Sequence, residues 1–470
     1  MEKKLGLFGL IAMVVGSMIG SGIFQLPSEM ANACGPLATI IAWIITGVGM
    51  FFIGKVFQTL SDKRPDLYDG IYTYSREGFG QYIGFLSAWG YWFSHLLGNV
   101  SYVVLFIYAL HNFFPQIGGL NSMPSLIISI IMIWGIIFII AKSMKIANQL
   151  NEITTITKLI PVLLAIILLI ICFKSNIFFK DIFAEHLINN TGSALGSISD
   201  QVRNGFLNTI WVFVGIESAV VISERAKNPK DVGKATIIGY VFTLICYVLV
   251  SLLSYGALKQ DVLVNLQNPA LGGVLQRTYG TWAAVIINLG VLVSVLGAWI
   301  AWNIINAEVP MSVARDKVFP KILAKKSKSG AAINALILNA IIMQIVFIFA
   351  MFANNAFTLV TNIATAMVLL PYLLSALFLM KLAKKDGEVK NFIYGLIALI
   401  FALFALSTSG ITGLAQIMIL YALGLIFLII RSVENKEKMF SAKWEAILCA
   451  IITILGALSL VYFVFPLFSK

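Results

Sequence analysis

Residues 16–24 read Gly-Ser-Met-Ile-Gly-Ser-Gly-Ile-Phe and interrupt the first long apolar segment of the chain. Three of these residues are glycines, and each glycine weakens a helix by about 1 kcal/mol relative to alanine. One interpretation is a packing face of small residues, because Gly16 and Gly20 are four positions apart. The other is an unwound stretch, in which the hydroxyls of Ser17 and Ser21 satisfy backbone groups freed from the helix. We favour the unwound stretch.

The rest of the chain is strongly apolar. Of its 470 residues, 59% are hydrophobic and 11% are charged, whereas a soluble protein usually carries about 25% charged residues. Long apolar runs without alternation favour membrane helices over a barrel. We therefore predict an all-α polytopic membrane protein with 12–13 transmembrane helices. The apolar segments are 7–30, 38–60, 81–112, 124–141, 153–173, 204–224, 235–257, 281–307, 332–352, 356–380, 392–408, 412–430 and 444–467.

The net charge of +12 is explained by membrane orientation rather than by nucleic-acid binding. If the N-terminus is cytoplasmic, 27 of the 33 Lys and Arg residues lie in inner loops and the other six lie outside. This bias follows the positive-inside rule. We expect a multi-pass protein of the inner (cytoplasmic) membrane that has the lipid bilayer as a partner and binds no nucleic acid. Thirteen spans would place the C-terminus outside.

The sixth apolar segment contains a second irregularity, the sequence WVFVGIES at residues 211–218. Here Gly215 precedes Glu217, the only carboxylate that the sequence places deep in a span. A charge at that depth costs roughly 2.5 to 3.5 kcal/mol on insertion scales. Glu217 is therefore either a carboxyl that faces a polar interior and has a role, which we favour, or a protonated group that packs between helices.

Spans one and six are five positions apart, an odd number, so they cross the membrane in opposite directions. Broken helices at corresponding positions of two inverted halves indicate a transporter site. Free amides at the start of a half-helix would bind a carboxylate, and unwound carbonyls would bind an ammonium group. An amino acid carries both groups on one carbon. We expect inverted repeats in residues 1–175 and 200–382 and additional helices in 390–470.

Together, residues 16–24, 211–218 and 224–236 (ERAKNPKDVGKAT) resemble the amino acid-polyamine-organocation (APC) transporter superfamily. Residues 69–102 are similar to the basic amino acid antiporters that exchange arginine for ornithine in the arginine deiminase pathway; close relatives exchange lysine, histidine, agmatine or cadaverine. The resemblance implies a fold of five plus five inverted helices with two or three additional C-terminal helices. It also implies small-molecule amino acid substrates, and no cofactor or metal is expected. The protein could be a monomer or a homodimer, and the sequence does not decide between them.

The resemblance also implies site residues. The first break would bind the substrate carboxylate and ammonium group, Trp211 would cover the substrate as a gate, and Asn99 matches a substrate-contacting position. For the substrate-facing tryptophan of span eight, both Trp299 and Trp302 fit, and we prefer Trp302. The residues predicted to bind substrate are Ser17, Ile19, Gly20, Ser21, Gly22, Ile23, Asn99, Trp211, Gly215 and Trp302.

Further polar residues are candidates for coupling or gating. His95 and Tyr102 share one face of span three with Tyr91 and Asn99, although His95 is equally well explained as a packing residue. Lys158 lies near the start of span five, where it would either extend towards the cytoplasm or connect span five to the break in span one. In related transporters a lysine at this position takes the place of a sodium ion. The candidates are Glu217, Lys158, His95 and Tyr102.

The predicted function is one-for-one exchange of external arginine for internal ornithine by alternating access. The site would lie between spans one, three, six, eight and ten. Proton-coupled uptake through Glu217 or Lys158, or exchange of another amino acid or amine, is the alternative. A channel would need a continuous polar pore lining, and an enzyme would need a motif such as HExxH or GxSxG. The sequence contains neither, so we expect a transporter.

Overall fold

The structure is a computed structural model in which helices dominate. It describes most of the chain, and the statements below concern that part. The described residues are 5–67, 71–143, 146, 157–221, 226–228, 230–327 and 329–468.

The first apolar segment forms two helices that are separated by an irregular stretch. Proline lies in the first turn of the second, third and sixth helices, where its missing N–H group has no intrahelical partner to lose. The helices of this part of the chain are α1 (Leu7–Met18), α2 (Leu26–Ala33), α3 (Pro36–Lys63), α4 (Ile71–Phe79), α5 (Gln81–Phe113), α6 (Met123–Lys142) and α7 (Leu159–Cys172).

The next part of the chain begins with a short surface helix and then repeats the same kind of break in its first span. Two further short helices precede its longest helix. The helices are α8 (Ser175–Phe178), α9 (Ile198–Trp211), α10 (Ser218–Val221), α11 (Lys230–Ala257), α12 (Gln260–Val264), α13 (Ala270–Tyr279), α14 (Thr281–Arg315), α15 (Ile333–Ala350) and α16 (Ala356–Asp386).

Three more helices complete the described chain, namely α17 (Val389–Thr408), α18 (Gly410–Asn435) and α19 (Lys443–Phe468). Among the described residues, ten helices are long and apolar enough to cross a membrane. The apolar helices α1 and α7 are shorter. Together with the broken sixth span, these helices account for all thirteen predicted segments, and the all-helical membrane architecture is confirmed.

The predicted ends of several segments are wrong, because these helices continue beyond the point where the sequence stops being apolar. Helix α14 continues eight residues past the predicted end, to Arg315, and α16 continues to Asp386. Charged residues can extend a membrane helix into water without breaking its backbone hydrogen bonds. The predicted ranges 153–156 and 222–224 lie outside the described residues.

Helix α4, which no hydropathy segment predicted, joins the helix ends on the side of the bundle that holds the N-terminus. The Arg76 guanidinium donates to an Asp316 carboxylate oxygen at 2.8 Å, and the Tyr72 hydroxyl donates to the same oxygen. On the other side of α4, the Lys381 amine donates to the Gly78 carbonyl oxygen at 2.7 Å. Helix α4 therefore connects the ends of α14 and α16.

Helix α5 forms the centre of the bundle, and α19 lies at its edge. Within the most apolar 18 residues of each helix, 83% are buried in α5 but only 11% in α19. The close approach of α5 to its neighbours depends on Gly90. A Cβ atom added there would overlap the Tyr421 hydroxyl of α18 and lie 2.9 Å from the Met367 carbonyl oxygen of α16.

We therefore expect Gly90→Ala to destabilise the protein by about 1–3 kcal/mol, because the extra methyl group overpacks the core. The matched control is Gly135→Ala in α6, where no heavy atom lies within 4 Å of an added Cβ. Alanine should stabilise that helix by about 0.5–1 kcal/mol. Thermal unfolding of both variants in detergent measures the difference, and equal melting temperatures would contradict this packing.

Candidate functional site

The first break in the bundle follows α1. This helix ends at Met18, residues 19–21 are not helical, and a short 3₁₀ turn at Gly22–Phe24 leads into α2. The predicted unwound stretch is confirmed. Because the first amides of a helix and the last carbonyls of the preceding one lack intrahelical partners, the break presents both kinds of group to its surroundings.

The second break follows α9, which ends at Trp211. Residues 212–217 form turns, and helical structure resumes at Ser218. Gly215 has a φ of +113°, a conformation that other residues rarely adopt. A Cβ atom at this position would also lie 3.1 Å from the Ser17 hydroxyl oxygen. The backbone conformation therefore favours glycine, and a larger residue would also require its neighbours to shift slightly.

The Ser17 hydroxyl joins the two breaks. Its oxygen lies 3.0 Å from the Gly215 carbonyl oxygen and 2.9 Å from the Ser218 hydroxyl oxygen. It also lies 2.9 Å from the Val14 carbonyl oxygen in its own helix. A serine has one proton, so Ser17 donates to one of these oxygens at a time, and it can accept from the Ser218 hydroxyl while it donates to a carbonyl. The last turn of α1 is thereby held against the second break.

A cavity with about 380 Å³ of empty space lies between the two breaks, α5 and α14. This volume includes space that is open to the surroundings. None of the described residues that line it is a carboxylate, a lysine or an arginine. The lining residues are Ser17, Met18, Gly20, Ser21, Gly22, Ser94, His95, Gly98, Asn99, Tyr102, Trp211, Val212, Val214 and Trp302.

Two tryptophans form much of the apolar wall of the cavity. Trp211 lies between two glycines. A Cβ atom added to Gly22 would lie 3.4 Å from the Trp211 ring, and one added to Gly98 would lie 2.8 Å from it. Trp302 packs on the His95 ring with centroids 4.5 Å apart, and its indole N–H donates to the Ser17 carbonyl oxygen at 3.3 Å. Both indoles are therefore held against the first break.

Lys158 lies directly before α7 and is almost completely buried, with 2% of its surface exposed. Its amine donates to the Gly16 carbonyl oxygen in the last turn of α1. The interpretation in which Lys158 extends towards the cytoplasm is wrong, because one of the carbonyls freed at the break binds its amine instead. The alternative, a connection from span five to the break, is confirmed.

Glu217 lies one layer behind the cavity and is fully buried. One carboxylate oxygen accepts from the Tyr372 hydroxyl at 2.7 Å and from the Gly215 amide at 3.2 Å. The other oxygen lies 3.7 Å from His95 Nε2. Because His95 Nδ1 is 2.7 Å from the Tyr91 carbonyl oxygen, Nδ1 carries a proton. Nε2 is the ring nitrogen that faces Glu217.

Most of the predicted binding residues line the cavity, and a few lie behind it. Trp302 reaches the cavity, whereas Trp299 is buried in the core. Among the coupling candidates, His95 and Tyr102 line the cavity, and Glu217 does not. Their roles in binding stay predictions. The predicted binding residues that lie behind the lining are Ile19, Ile23 and Gly215.

Two features of the site were not predicted. Span ten was expected to line the site but contributes no described lining residue; instead its Tyr372 bonds to Glu217. The second is Glu29 on α2, which is nearly buried, with 8% of its surface exposed, and was not among the predicted site residues. The signal for Glu29 was a carboxylate inside the first apolar segment, whereas nothing in the sequence distinguished Tyr372.

A bundle of membrane-length helices with two facing breaks around a cavity is typical of a solute transporter, and the comparisons with known proteins indicate a transporter and not an enzyme. The family profile described as "Amino acid permease" matches residues 5–415, and the chain belongs to this family, within the APC superfamily.

Three relatives carry the name arginine/agmatine antiporter. The Chlamydia felis protein is 42% identical and the Chlamydia pneumoniae protein 41% identical, each over 98% of this chain and 97% of its own. The Chlamydia trachomatis protein is 38% identical over 98% of this chain and 96% of its own. The similarity therefore spans the whole membrane domain, including both breaks.

The geometry around Glu217 predicts that Tyr372→Phe destabilises the protein by about 1–3 kcal/mol, because a buried carboxylate oxygen loses a donor. The matched control is Tyr394→Phe, since Tyr394 is half-buried and packs near Phe52, away from this network. That change should stay within about 0.5 kcal/mol. Thermal unfolding in detergent measures both variants. Equal shifts would show that the hydroxyl does not support Glu217.

Proposed function

We propose that the protein is an antiporter that takes up external arginine in exchange for an internal cation derived from arginine, either agmatine or ornithine. The observation that carries the proposal is the cavity between the two helix breaks, whose lining of backbone breaks, aromatic rings and neutral polar side chains suits an amino acid. The name of the Chlamydia relatives, arginine/agmatine antiporter, favours agmatine as the second substrate. The similarity of residues 69–102 to arginine/ornithine antiporters favours ornithine.

The two ends of the first break would hold the two groups on the substrate's α-carbon. The amides of residues 21–24 lie at the start of the turn that leads into α2, where a carboxylate is stabilised by unpaired N–H groups and the helix dipole. Carbonyls at the ends of α1 and α9 would accept from the ammonium group. The proposed binding set is Ser17, Ile19, Gly20, Ser21, Gly22, Ile23, Asn99, Trp211, Gly215 and Trp302.

The cationic end of the substrate would contact rings and amides rather than a carboxylate, since the described lining contains none. Each cation–π contact with Trp211 or Trp302 contributes roughly 0.5 to 2 kcal/mol. The Asn99 side chain is buried, and its oxygen could accept from the cation, whereas its nitrogen, which has no hydrogen-bond partner among the described residues, would donate to the substrate carboxylate. Such a site would bind a guanidinium or ammonium group and release it readily, as exchange requires.

Alternating access would move the two inverted halves, residues 1–175 and 200–382, around this cavity. Their facing contact is the bond between Ser17 and the second break. Residues 390–470 would stay at the edge of the bundle. The distribution of basic residues supports a cytoplasmic N-terminus in the cytoplasmic membrane, so that α2 leads towards the external side.

The two possible internal substrates differ in charge. Arginine and ornithine each carry a net charge of +1 near neutral pH, whereas agmatine lacks the carboxylate and carries +2. Arginine/ornithine exchange is therefore electroneutral, and arginine/agmatine exchange moves one net charge per cycle. A membrane potential contributes about 2.3 kcal/mol per charge per 100 mV, so it would affect only the second exchange.

Reconstitution into liposomes tests this function directly. Liposomes loaded with agmatine or ornithine should take up labelled arginine, and a potassium diffusion potential should change only the agmatine-driven rate. At 100 mV the driving force changes by about 2.3 kcal/mol. Equal uptake into empty liposomes would contradict obligate exchange. Uptake into empty liposomes that depends on a pH gradient would instead support proton-coupled uptake through Glu217 or Lys158.

The gate role proposed for Trp211 predicts that Trp211→Ala lowers exchange by up to about 30-fold, since up to about 2 kcal/mol of ring contact is lost. The control is Trp282→Ala in α14, because Trp282 is exposed at the surface of the bundle and lies away from the cavity. Exchange should be unchanged in that variant. Full activity of Trp211→Ala in liposomes, at equal protein content, would show that the site lies elsewhere.

A further inference from the structure

Glu29 forms a second polar site, about two helical turns beyond the cavity. It lies on α2 where this helix meets α9 and α16, and only 8% of its surface is exposed. The Asn208 side chain of α9 donates to its backbone carbonyl oxygen at 3.5 Å. From α16, the Thr358 hydroxyl lies 2.8 and 2.7 Å from the two carboxylate oxygens, and the Asn355 amide lies 3.4 Å from one of them.

These neighbours leave much of the acceptor capacity of Glu29 unused. A carboxylate offers about four lone pairs, while a threonine hydroxyl has one proton and can satisfy only one oxygen at a time. No lysine, arginine or histidine nitrogen lies within ion-pair distance of Glu29 among the residues that the structure describes. A nearly buried carboxylate with only neutral partners is favourable for binding a cation that offers several N–H groups.

The position of Glu29 relative to the cavity fits a substrate that enters along α2. Gly22 lines the cavity, and Glu29 lies seven positions further along the chain, a rise of about 10 Å in a helix. Gln25 lies between them, one turn before Glu29 on the same face. The side-chain oxygen of Gln25 accepts from the Ala270 backbone amide at 3.2 Å. The side-chain nitrogen of Gln25 is buried and has no partner among the described residues. A carboxylate acceptor would satisfy this nitrogen.

The partners of Glu29 also place it within reach of solution. Asn355 and Thr358 begin α16 next to the turn after α15, and both are only partly buried. The carboxylate therefore lies between this turn and the cavity, on the side of the bundle away from the N-terminus.

We propose that Glu29 is an outer subsite that binds the guanidinium or ammonium end of the substrate before it reaches the cavity. This inference rests on the proposed exchange of cationic substrates and on the external position of α2. Glu29 attracts the cationic end, and the Gln25 amide holds the substrate carboxylate one turn nearer the cavity. The central cavity, which has no carboxylate in its described lining, then receives the substrate from a site that is selective for positive charge.

The test is Glu29→Gln, which keeps the size and hydrogen bonds of the side chain but removes its charge. We expect the external KM for arginine to rise about tenfold, the effect of losing one charge-assisted hydrogen bond. The internal KM should be unchanged, because a substrate that enters from the cytoplasm reaches the cavity first. External KM is measured in intact cells and internal KM in inside-out vesicles.

The control for general surface charge is Glu185→Gln, since Glu185 is exposed on the same side of the bundle. Its external KM should stay at the wild-type value. If Glu29→Gln and Thr358→Val lower the maximal rate equally and leave the external KM unchanged, Glu29 only holds α2 against α16 and the proposal is wrong. If the wild-type protein does not exchange arginine at all, the proposed function fails instead.

A second variant keeps Glu29 intact, so it remains informative if Glu29→Gln does not fold. In Asn355→Cys, a cationic, membrane-impermeant thiol reagent added outside should label the cysteine faster than a neutral reagent of similar size. External arginine should slow this labelling, and citrulline, the neutral analogue of arginine, should not. Equal labelling by the two reagents, or equal protection by the two solutes, would overturn the proposal.

Discussion

The structure depends on the satisfaction of backbone groups where two membrane helices stop near the middle of the bundle. In hydrocarbon every unpaired N–H or carbonyl group costs several kcal/mol, so a break persists only if other parts of the protein supply partners. Here the partners are side chains: Lys158 for the Gly16 carbonyl, Ser17 for the Gly215 carbonyl and Trp302 for the Ser17 carbonyl. Because these side chains come from different helices, the breaks also fix how the helices pack.

The scarcity of charged groups around the breaks determines the chemistry of the site. Three buried ionisable groups lie around the breaks but outside the described lining of the cavity. Lys158 contacts the first break, Glu217 the second, and Glu29 the helix that leads outwards. The cavity itself is lined by rings, small residues and neutral polar groups. An amino acid would be recognised there mainly through backbone groups, with fixed charges arranged around it.

The sequence predicts the architecture well because lipid restricts what a chain can do. Thirteen apolar runs correspond to thirteen helical segments, and the glycines at residues 16–24 correctly predict an unwound stretch. The sequence could not show whether Lys158 extends towards the cytoplasm or contacts the first break, since the contacts of a long side chain depend on which helix lies opposite. Tyr372 was missed for the same reason: a tyrosine in an apolar run has no sequence feature that shows its partner.

The unpaired polar atoms of the cavity have a consequence for an empty carrier. The side-chain nitrogen of Asn99 is buried and has no hydrogen-bond partner among the described residues, and the first amides of a helix, such as those at the first break, lack intrahelical partners. When an exchanger switches from facing one side of the membrane to facing the other, its cavity must for a moment be closed to water on both sides. Without a bound solute, those atoms would then be unsatisfied. A bound amino acid supplies the missing partners. The groups that select the solute thereby also suppress slippage, the return of the carrier without cargo.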